Sequence, residues 1–165
     1  MYLGLGSNLG DREAALADAG EAVEARGVRM VRRSSLYMTE PVGGPPQDWF
    51  LNAVVAADTT LSPEALLAVC LEVEASQGRV RGGIKNGPRT LDADILFYGD
   101  LHRHDASLEI PHPRLHERRF VLVPLAEIAP ALVHPTSGLT VAELLALCPD
   151  ASAVRLHAPA GAGGR

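Results

Sequence analysis

The sequence predicts an α+β fold in which helices cover an antiparallel sheet. Several short segments alternate apolar and polar residues with the period of a strand, and two longer segments place apolar residues at helical spacing. In chain order these segments read strand, helix, strand, strand, helix, strand. This order is typical of a ferredoxin-like βαββαβ core with an antiparallel sheet.

Local signals define the boundaries of this core. Ser62 followed by Pro63 is an N-cap with proline in the first turn, and Asn8 or Gly10 could cap the earlier helix. Residues 39–48 are rich in proline and glycine and predict a structured loop. The predicted strands cover residues 1–6, 28–38, 50–57 and 91–98, and the predicted helices cover residues 11–26 and 63–77.

Additional C-terminal helices and short strands are predicted to cover the core. A short helix is predicted to begin at Pro113, followed by an apolar segment, and Thr140 with Glu143 forms a capping box for a last helix. Residues 1–157 are predicted to form a single domain. Residues 158–165, "APAGAGGR", contain little to bury and predict a flexible tail.

Composition and charge restrict the possible functions. The chain has 165 residues, of which 47% are hydrophobic, so it can bury a sizeable core. Its net charge of −5 gives no general attraction for nucleic acids or anionic membranes. No apolar stretch approaches the roughly 20 residues of a membrane helix, and residues 1–7 lack the features of a signal peptide. Cys70 and Cys148 lie far apart in apolar helical patterns, so we expect reduced thiols and a cytoplasmic protein. Either a monomer or a small homodimer is expected.

The last strand of the predicted core contains two acidic residues. Because successive side chains of a strand point to opposite faces, Asp92 and Asp94 are expected side by side on one face. The apolar residues expected on the other face are Leu91, Ala93, Ile95 and Phe97. Adjacent carboxylates repel each other and need cations nearby. The pair could supply oxygen ligands to Mg²⁺, which also binds waters and phosphate oxygens; paired surface acids on an edge strand are the alternative.

A basic, glycine-rich segment directly precedes the acidic pair. Residues 78–89, "GRVRGGIKNGPR", contain Arg79, Arg81, Lys85 and Arg89 and no acid. Its glycines allow the segment to bend around a ligand. Metal ions and basic side chains together neutralise polyphosphates during phosphoryl transfer, so the segment and the acidic pair favour that chemistry. A solvated loop with incidental charge is the alternative.

A later segment offers either a zinc site or further phosphate contacts. His112 and His116 have a spacing that can bind zinc on a helix, but the sequence offers no third soft ligand nearby and the neighbouring arginines oppose a cation. We therefore favour a phosphate-facing cluster of His112, Arg114 and Arg118. Arg119 is expected on a solvated face.

Two rings and an amide predict a site for a flat heterocycle. Aromatic residues make up only 4% of the chain. Phe50 and Asn52 lie on the same face of a predicted strand, and Phe120 follows the basic cluster. Rings can stack on a heterocycle while the amide supplies hydrogen bonds, although a core role is the alternative for both rings.

The segment "GLGSNLGD", residues 4–11, is a weak signal. It matches neither a dinucleotide-binding fingerprint nor a Walker A motif. A tight turn between a strand and a helix explains it about as well.

Taken together, five blocks of the sequence resemble the 6-hydroxymethyl-7,8-dihydropterin pyrophosphokinase family of folate biosynthesis. The blocks are "LGSNLGDR", "SSLYMTEPVGG", "DWFLNAVV", "GRVRGGIKNGPRTLDADILFYGD" and "IPHPRLHERRFVLVPLAEIAP". They occur in the family's order and cover most of residues 1–134. The resemblance implies a ferredoxin-like core with added elements. It also implies transfer of pyrophosphate from ATP to the hydroxymethyl group of the pterin, with AMP as the other product.

The resemblance also implies a role for individual residues. Asp92 and Asp94 match ligands of two Mg²⁺ ions, and Arg79 and Arg89 are expected to join them in catalysis. The residues expected at the ATP site are Glu74, Arg79, Arg81, Lys85, Arg89, His112, Arg114 and Arg118. The residues expected at the pterin site are Thr39, Pro41, Val42, Phe50, Asn52 and Phe120, with the two rings as a stacking pair.

The basic loop differs from some members of the family. Asn86 stands where some members have a tryptophan, Lys85 where the residue can be arginine, and Pro113 where it can be tyrosine. These differences concern loop closure more than the reaction. With Gly82 and Gly83, the loop is expected to be mobile without ligand and to order over ATP as a lid.

Two other classes of function remain open from the residues. One is another Mg²⁺-dependent phosphoryl or nucleotidyl transferase that uses the same acids and arginines on a different acceptor. The other is a ferredoxin-like module that binds RNA or another ligand, with the basic loop on the backbone and the rings on the bases. The negative net charge and the absence of aromatic residues within the basic segment disfavour the RNA-binding module.

Overall fold

The structure, a computed structural model, describes residues 1–78 and 87–157. The predicted tail at residues 158–165 and the loop residues Arg79, Arg81, Lys85 and Asn86 lie outside the described residues, as does the predicted lid closure. No helix in the described part of the chain is long and apolar enough to cross a membrane.

The observed elements follow the predicted order, except that three strands rather than two lie between the first two α-helices. The strands are Tyr2–Ser7 (β1), Val28–Arg33 (β2), Tyr37–Thr39 (β3), Phe50–Thr59 (β4), Asp92–Phe97 (β5), Arg103–His104 (β6), Glu109–Ile110 (β7) and Val154–Leu156 (β8). The α-helices are Arg12–Glu24 (α1), Pro63–Ser76 (α2), Arg119–Ile128 (α3) and Val141–Leu147 (α4). The short helix predicted from Pro113 is a 3₁₀ turn that begins at Leu115, and the apolar segment after it forms α3.

Six of these strands form one sheet in which all the pairings are antiparallel. β1 lies between β5 and β4. β2 and β3 pair with successive parts of β4, and β8 pairs with β3 at the far edge. β6 and β7 form a separate two-stranded pair. The prediction of an α+β fold with an antiparallel sheet is confirmed.

The continuous strand predicted at residues 28–38 is wrong, because the structure divides it into β2 and β3. Ser34 lies at the break and is almost completely buried. Its backbone N–H donates to the Val54 carbonyl at 2.9 Å, but its hydroxyl oxygen accepts from the Val54 N–H at 2.9 Å. A side chain thus replaces the carbonyl that would continue the ladder, a known way for serine to interrupt regular structure.

The helix caps agree with the sequence except at α1. Ser62 caps α2 with Pro63 in its first turn, and Thr140 forms the predicted capping box with Glu143. For α1 the cap is Asp11, which accepts from the Ala14 N–H at 3.1 Å, so the expected caps Asn8 and Gly10 are wrong.

Each face of the sheet has its own helical cover. On one face α1 and α2 pack against the sheet in a cluster that includes Leu3 and Val55. On the other face α3 and α4 form a second cluster with Val54 and Leu96. The neighbouring residues Val54 and Val55 therefore belong to opposite cores, as strand alternation requires. The added C-terminal helices cover the face that α1 and α2 leave open.

Strand β5 departs from simple alternation at its end. Ile95 pairs with Leu3 and Phe97 pairs with Tyr2, so Leu96 is an extra residue in a β-bulge. Leu96 and Phe97 consequently pack in the same cluster, while Ile95 packs in the other. The prediction that Phe97 shares a face with Ile95 is wrong for this reason.

Candidate active site

A cavity of about 260 Å³ opens on the sheet face away from α1 and α2. Its floor is formed by β1, β4 and β5, and its walls by residues 39–43 and by the segment that leads into α3. Eleven of the predicted site residues line it: Thr39, Pro41, Val42, Phe50, Asn52, Arg89, Asp92, Asp94, Arg114, Arg118 and Phe120. The structure therefore brings three of the predicted ATP-site residues, both predicted metal ligands and all six predicted pterin-site residues into one space.

Two glycines of β1 form the middle of the floor. Gly6 is paired with Asp92 on one side and with Asn52 on the other, and Gly4 is paired with Asp94 and Val54. Strands in a sheet lie about 4.8 Å apart, so the backbones of the acidic pair and of Asn52 are separated by roughly 10 Å. A strip without side chains thus lies between the acidic half and the amide half of the cavity.

Arg89 connects the acidic half to one of the rings. Its Nη1 donates to Asp92 Oδ2 at 2.7 Å, and both side chains are about one-fifth exposed. Its guanidinium carbon also lies 5.6 Å from the centroid of the Phe50 ring, within cation–π range. Arg89 thus supplies positive charge next to the acidic pair, as the sequence predicts.

Arg118 makes a similar ring contact on the wall formed by the segment that leads into α3. Its guanidinium carbon lies 5.6 Å from the centroid of the Phe120 ring. Burial lowers the pKa of Arg118 most, while the carboxylate of Asp94 opposes that shift and Arg114 adds to it. Arginine stays protonated in proteins, so Arg118 presents a partly desolvated positive charge to the cavity.

His112 lies beside this wall without lining the cavity. Burial, followed by the charges of Arg118 and Arg114, lowers its pKa to about 4, although Asp92 opposes the shift. Its Nδ1 accepts from the Arg114 N–H at 3.2 Å. At neutral pH the ring is therefore uncharged with its proton on Nε2, which makes it a hydrogen-bond donor.

Glu74 lies on the opposite side of β5 from the cavity and is only 3% exposed. Its Oε1 accepts from the Ala93 N–H at 3.1 Å, so it holds the backbone between the two aspartates. The structure does not bring it into the cavity, and its expected role at the ATP site stays a prediction. The nearby Cys70 thiol is buried, which raises its pKa to about 12 with help from Asp94 and Glu74.

The amide half of the cavity is rigidly held. Asn52 Nδ2 donates to Thr39 Oγ1 at 2.6 Å, and Thr39 is 1% exposed. The neighbouring Glu40 makes two hydrogen bonds to Ala153. The Glu40 N–H donates to the Ala153 carbonyl at 3.0 Å, and the Glu40 carboxylate accepts from the Ala153 N–H at 3.0 Å. The segment before β8 therefore fixes the start of the loop that carries Pro41.

Asn8 joins the two halves from below, a role that the sequence did not predict. Its Nδ2 donates to Gln47 Oε1 at 2.8 Å and to the Asp48 carbonyl at 2.9 Å. Its Oδ1 accepts from the Arg89 N–H at 2.9 Å, and its own N–H donates to the Arg89 carbonyl at 3.1 Å. At 2% exposure, Asn8 connects the loop on the amide side to the arginine on the acidic side.

Other lining residues also escaped the sequence reasoning. They are Gly4, Leu5, Gly6, Glu40, Gly43, Leu96, Glu117 and Val121. A signal existed for Gly4 and Gly6, because alternate glycines in a strand mark a face where something approaches the backbone closely. Glu117, whose Oε2 lies 3.8 Å from Arg114 Nε, gave no local signal.

The donor set of the cavity fits magnesium better than zinc. Asp92 and Asp94 supply hard oxygen ligands, and no group of three or more His, Cys, Asp or Glu side chains that could hold a metal occurs in residues 1–78 and 87–157. Two carboxylates next to an open, arginine-lined space suit an ion that completes its coordination with waters and phosphate oxygens.

Comparison with known proteins shows the family to which this chain belongs. The model of the family described as 7,8-dihydro-6-hydroxymethylpterin-pyrophosphokinase (HPPK) matches residues 2–130. A 2-amino-4-hydroxy-6-hydroxymethyldihydropteridine pyrophosphokinase from Methylorubrum extorquens is 55% identical over 146 residues, which cover 88% of this chain and 90% of that protein. The protein of the same name from Pseudomonas aeruginosa is 42% identical over 157 residues, covering 94% of this chain and 96% of the other.

Solved structures agree at the level of the fold. A chain of Plasmodium falciparum HPPK-DHPS A437G with SDX-DHP matches with a TM-score of 0.70 at 15% identity, covering 88% of this chain. This chain spans 44% of that longer one, and at such low identity the likeness concerns the fold alone. The family model and the two bacterial relatives carry the assignment, and the chain belongs to the 7,8-dihydro-6-hydroxymethylpterin-pyrophosphokinase family.

Proposed function

We propose that this protein transfers the β,γ-pyrophosphoryl group of ATP to the hydroxymethyl oxygen of 6-hydroxymethyl-7,8-dihydropterin. The observation that carries the proposal is the shared cavity, in which an acidic and arginine-rich half faces an aromatic and amide half across the glycines of β1. The first half suits a polyphosphate and the second a flat polar heterocycle. The family membership supports the same reaction.

In this reaction one P–O bond replaces another. The hydroxymethyl oxygen forms a bond to the β-phosphorus of ATP, and the bond between that phosphorus and the oxygen shared with the α-phosphate breaks. AMP leaves with the electron pair, the pterin carries the diphosphate, and the hydroxyl proton is released. Positioning and charge neutralisation dominate such transfers, so no strong base is required.

Asp92 and Asp94 are proposed to hold two Mg²⁺ ions. Bound Mg²⁺ neutralises triphosphate charge and templates the attack geometry. Arg89, which pairs with Asp92 in the structure, is proposed to turn to the phosphates when ATP binds, and Arg118 approaches them from the opposite wall. Arg79, Arg81 and Lys85 of the loop are proposed to join them, on the basis of the resemblance alone.

The pterin is proposed to lie between Phe50 and Phe120, with its polar edge on Asn52. Both rings line the cavity, and each has an arginine guanidinium over one of its faces. Asn52 is fixed by Thr39 and can offer hydrogen bonds to ring nitrogens and oxygens.

We also propose that the strand order relates the core to the ferredoxin-like fold if β2 and β3 count as one interrupted strand.

Release of AMP tests the proposal directly. Wild-type protein with ATP and Mg²⁺ should form AMP only when 6-hydroxymethyl-7,8-dihydropterin is present, and the Asp92→Ala/Asp94→Ala double variant should form none. ADP as product, or AMP formation that ignores the pterin, would show that another acceptor is used. Retention of RNA on the protein without ATP turnover would favour a binding module instead.

A further inference from the structure

We propose that Gly6 is a positioning residue that sets the orientation of the Asn52 amide and thereby the recognition of the heterocycle. This inference rests on the proposed function and adds a residue to it. Gly6 lies on the cavity floor and is paired with Asn52 across the β1–β4 ladder.

A methyl group on Gly6 would collide with the Asn52 amide. A Cβ at that position would lie 2.3 Å from Asn52 Oδ1 and 3.3 Å from its Cγ. The Asn52 amide oxygen therefore lies against the bare backbone of β1 at Gly6. Glycine permits this close approach because it has no Cβ.

The amide is held from both ends. Its Nδ2 donates to Thr39 Oγ1 at 2.6 Å on one side, and its Oδ1 rests over Gly6 on the other. Because Nδ2 is committed to Thr39, Oδ1 is the amide atom that can accept from a ring N–H or amino group at the cavity floor. A side chain at position 6 would turn the amide, weaken its bond to Thr39 and move that acceptor.

The fold itself should tolerate the change. Gly6 lies in a regular strand, and alanine is no worse than glycine there. The atom in conflict is the end of a short side chain, which can rotate. The effect should therefore fall on ligand recognition and leave folding almost unchanged.

Gly4 provides a matched control in the same strand and on the same cavity floor. A Cβ on Gly4 would lie 3.5 Å from Leu96 Cδ2, which is an ordinary contact. Gly4→Ala therefore adds the same methyl group without touching Asn52. The comparison of the two variants separates a narrower floor from a displaced amide.

The test combines binding, kinetics and a structural readout. Gly6→Ala should weaken binding of 6-hydroxymethyl-7,8-dihydropterin, measured by calorimetry without ATP, by about tenfold, the value of one lost hydrogen bond. The KM for the pterin should rise in parallel, while the KM for ATP and the unfolding temperature should stay near wild-type values. The side-chain amide NMR signal of Asn52, assigned by its loss in Asn52→Ala, should shift in Gly6→Ala and stay in place in Gly4→Ala.

A double-variant cycle tests the route through Asn52. In an Asn52→Ala background, Gly6→Ala should have no further effect on pterin binding. A further tenfold loss of affinity would mean that the methyl group blocks the ligand directly. That result would overturn the proposal. Thr39→Val should reproduce the selective loss and Thr39→Ser should restore binding. Unchanged pterin affinity in Gly6→Ala, with normal wild-type binding, would overturn the role of Gly6 alone. Wild-type protein that fails to bind the pterin would overturn the proposed function and this recognition role with it.

Discussion

The two faces of the central sheet use the same strands for opposite purposes. On the face toward α1 and α2, the strands present Leu3, Val55 and Ile95 to a continuous apolar core. On the other face, residues next to them in sequence leave space: Gly4 beside Leu3, and Asp94 beside Ile95. One face is filled by an apolar core, and the other is divided between a second apolar cluster under α3 and α4 and a cavity lined by charge.

This difference shows how a small domain can carry a charged site without losing its core. Because successive side chains of a strand point to opposite faces of the sheet, the two roles alternate from one residue to the next. Repulsion within the acidic pair is offset locally by Arg89, and the apolar packing is on the other side of the backbone. The comparison predicts that substitutions on neighbouring residues will have different consequences, and the following experiments test it.

Asp94→Ala should have the largest effect, on turnover. Loss of one proposed metal ligand removes several kcal/mol of charge stabilisation from the transition state, so turnover should fall by at least about 100-fold. Binding of the pterin without ATP should change little, and the free energy of unfolding should change by less than about 1 kcal/mol. AMP formation, calorimetry and urea unfolding measure the three quantities. Near-normal turnover would remove Asp94 from the mechanism.

Ile95 is the next residue along the strand. In contrast to Asp94→Ala, Ile95→Ala should reduce stability and leave turnover almost unchanged. Ile95 is 6% exposed in the core under α1 and α2, so its truncation should lower the free energy of unfolding by about 2–5 kcal/mol. The turnover of the folded protein, measured well below the unfolding temperature, should stay within about twofold of wild type. A stable variant with greatly reduced turnover would show that the two faces are not independent.

Much of this arrangement could be predicted from the sequence, because the informative patterns are local. Period-two alternation located β1, β4 and β5, and the acidic pair within β5 predicted a charged face. The capping box at Thr140 and the Ser62-Pro63 start depend only on nearby residues and were confirmed.

What escaped prediction depends on residues that are distant in sequence. The break at Ser34 results from a hydroxyl that bonds to Val54, and the bulge at Leu96 from the register between β1 and β5. Asn8 was considered only as a helix cap, because its partners Gln47 and Arg89 lie far along the chain. Pairings of this kind are set by tertiary structure and leave little trace in local patterns.

Asn8→Ala should lower both the stability and the turnover of the protein. Its loss leaves the partly buried Arg89 N–H without its Asn8 acceptor, which costs about 1–3 kcal/mol of stability. Because Arg89 and the loop at Gln47 are then no longer tied together, turnover should fall as well. Urea unfolding and steady-state kinetics measure the two effects.

Ser34→Ala is the control for the Asn8 experiment. Ser34 is also a buried polar residue that bonds to a backbone N–H, but it does not line the cavity. Its loss should reduce stability to a similar extent and leave the turnover of the folded protein unchanged. If Asn8→Ala and Ser34→Ala gave the same kinetics, Asn8 would be a structural residue only.

The last expected effect is a pH dependence of stability from His112. Its pKa is about 4 in the folded protein, below the ordinary value of 6.5, because of burial and of the charges of Arg118 and Arg114. As the pH falls below about 6.5, the unfolded chain binds a proton that the folded protein does not bind, so the free energy of unfolding decreases until about pH 4. Above about 6.5 neither state is protonated and the contribution is constant.

Urea unfolding at pH values between about 7 and 5 should reveal this contribution by comparison with His112→Gln. Wild-type stability should fall more steeply than that of the variant, since glutamine does not titrate. Burial also lowers the pKa of His134, but that residue is present in both proteins and cancels in the difference. Equal slopes would mean that His112 is not held neutral by its surroundings, and the donor role argued for its Nε2 at the edge of the cavity would then be wrong.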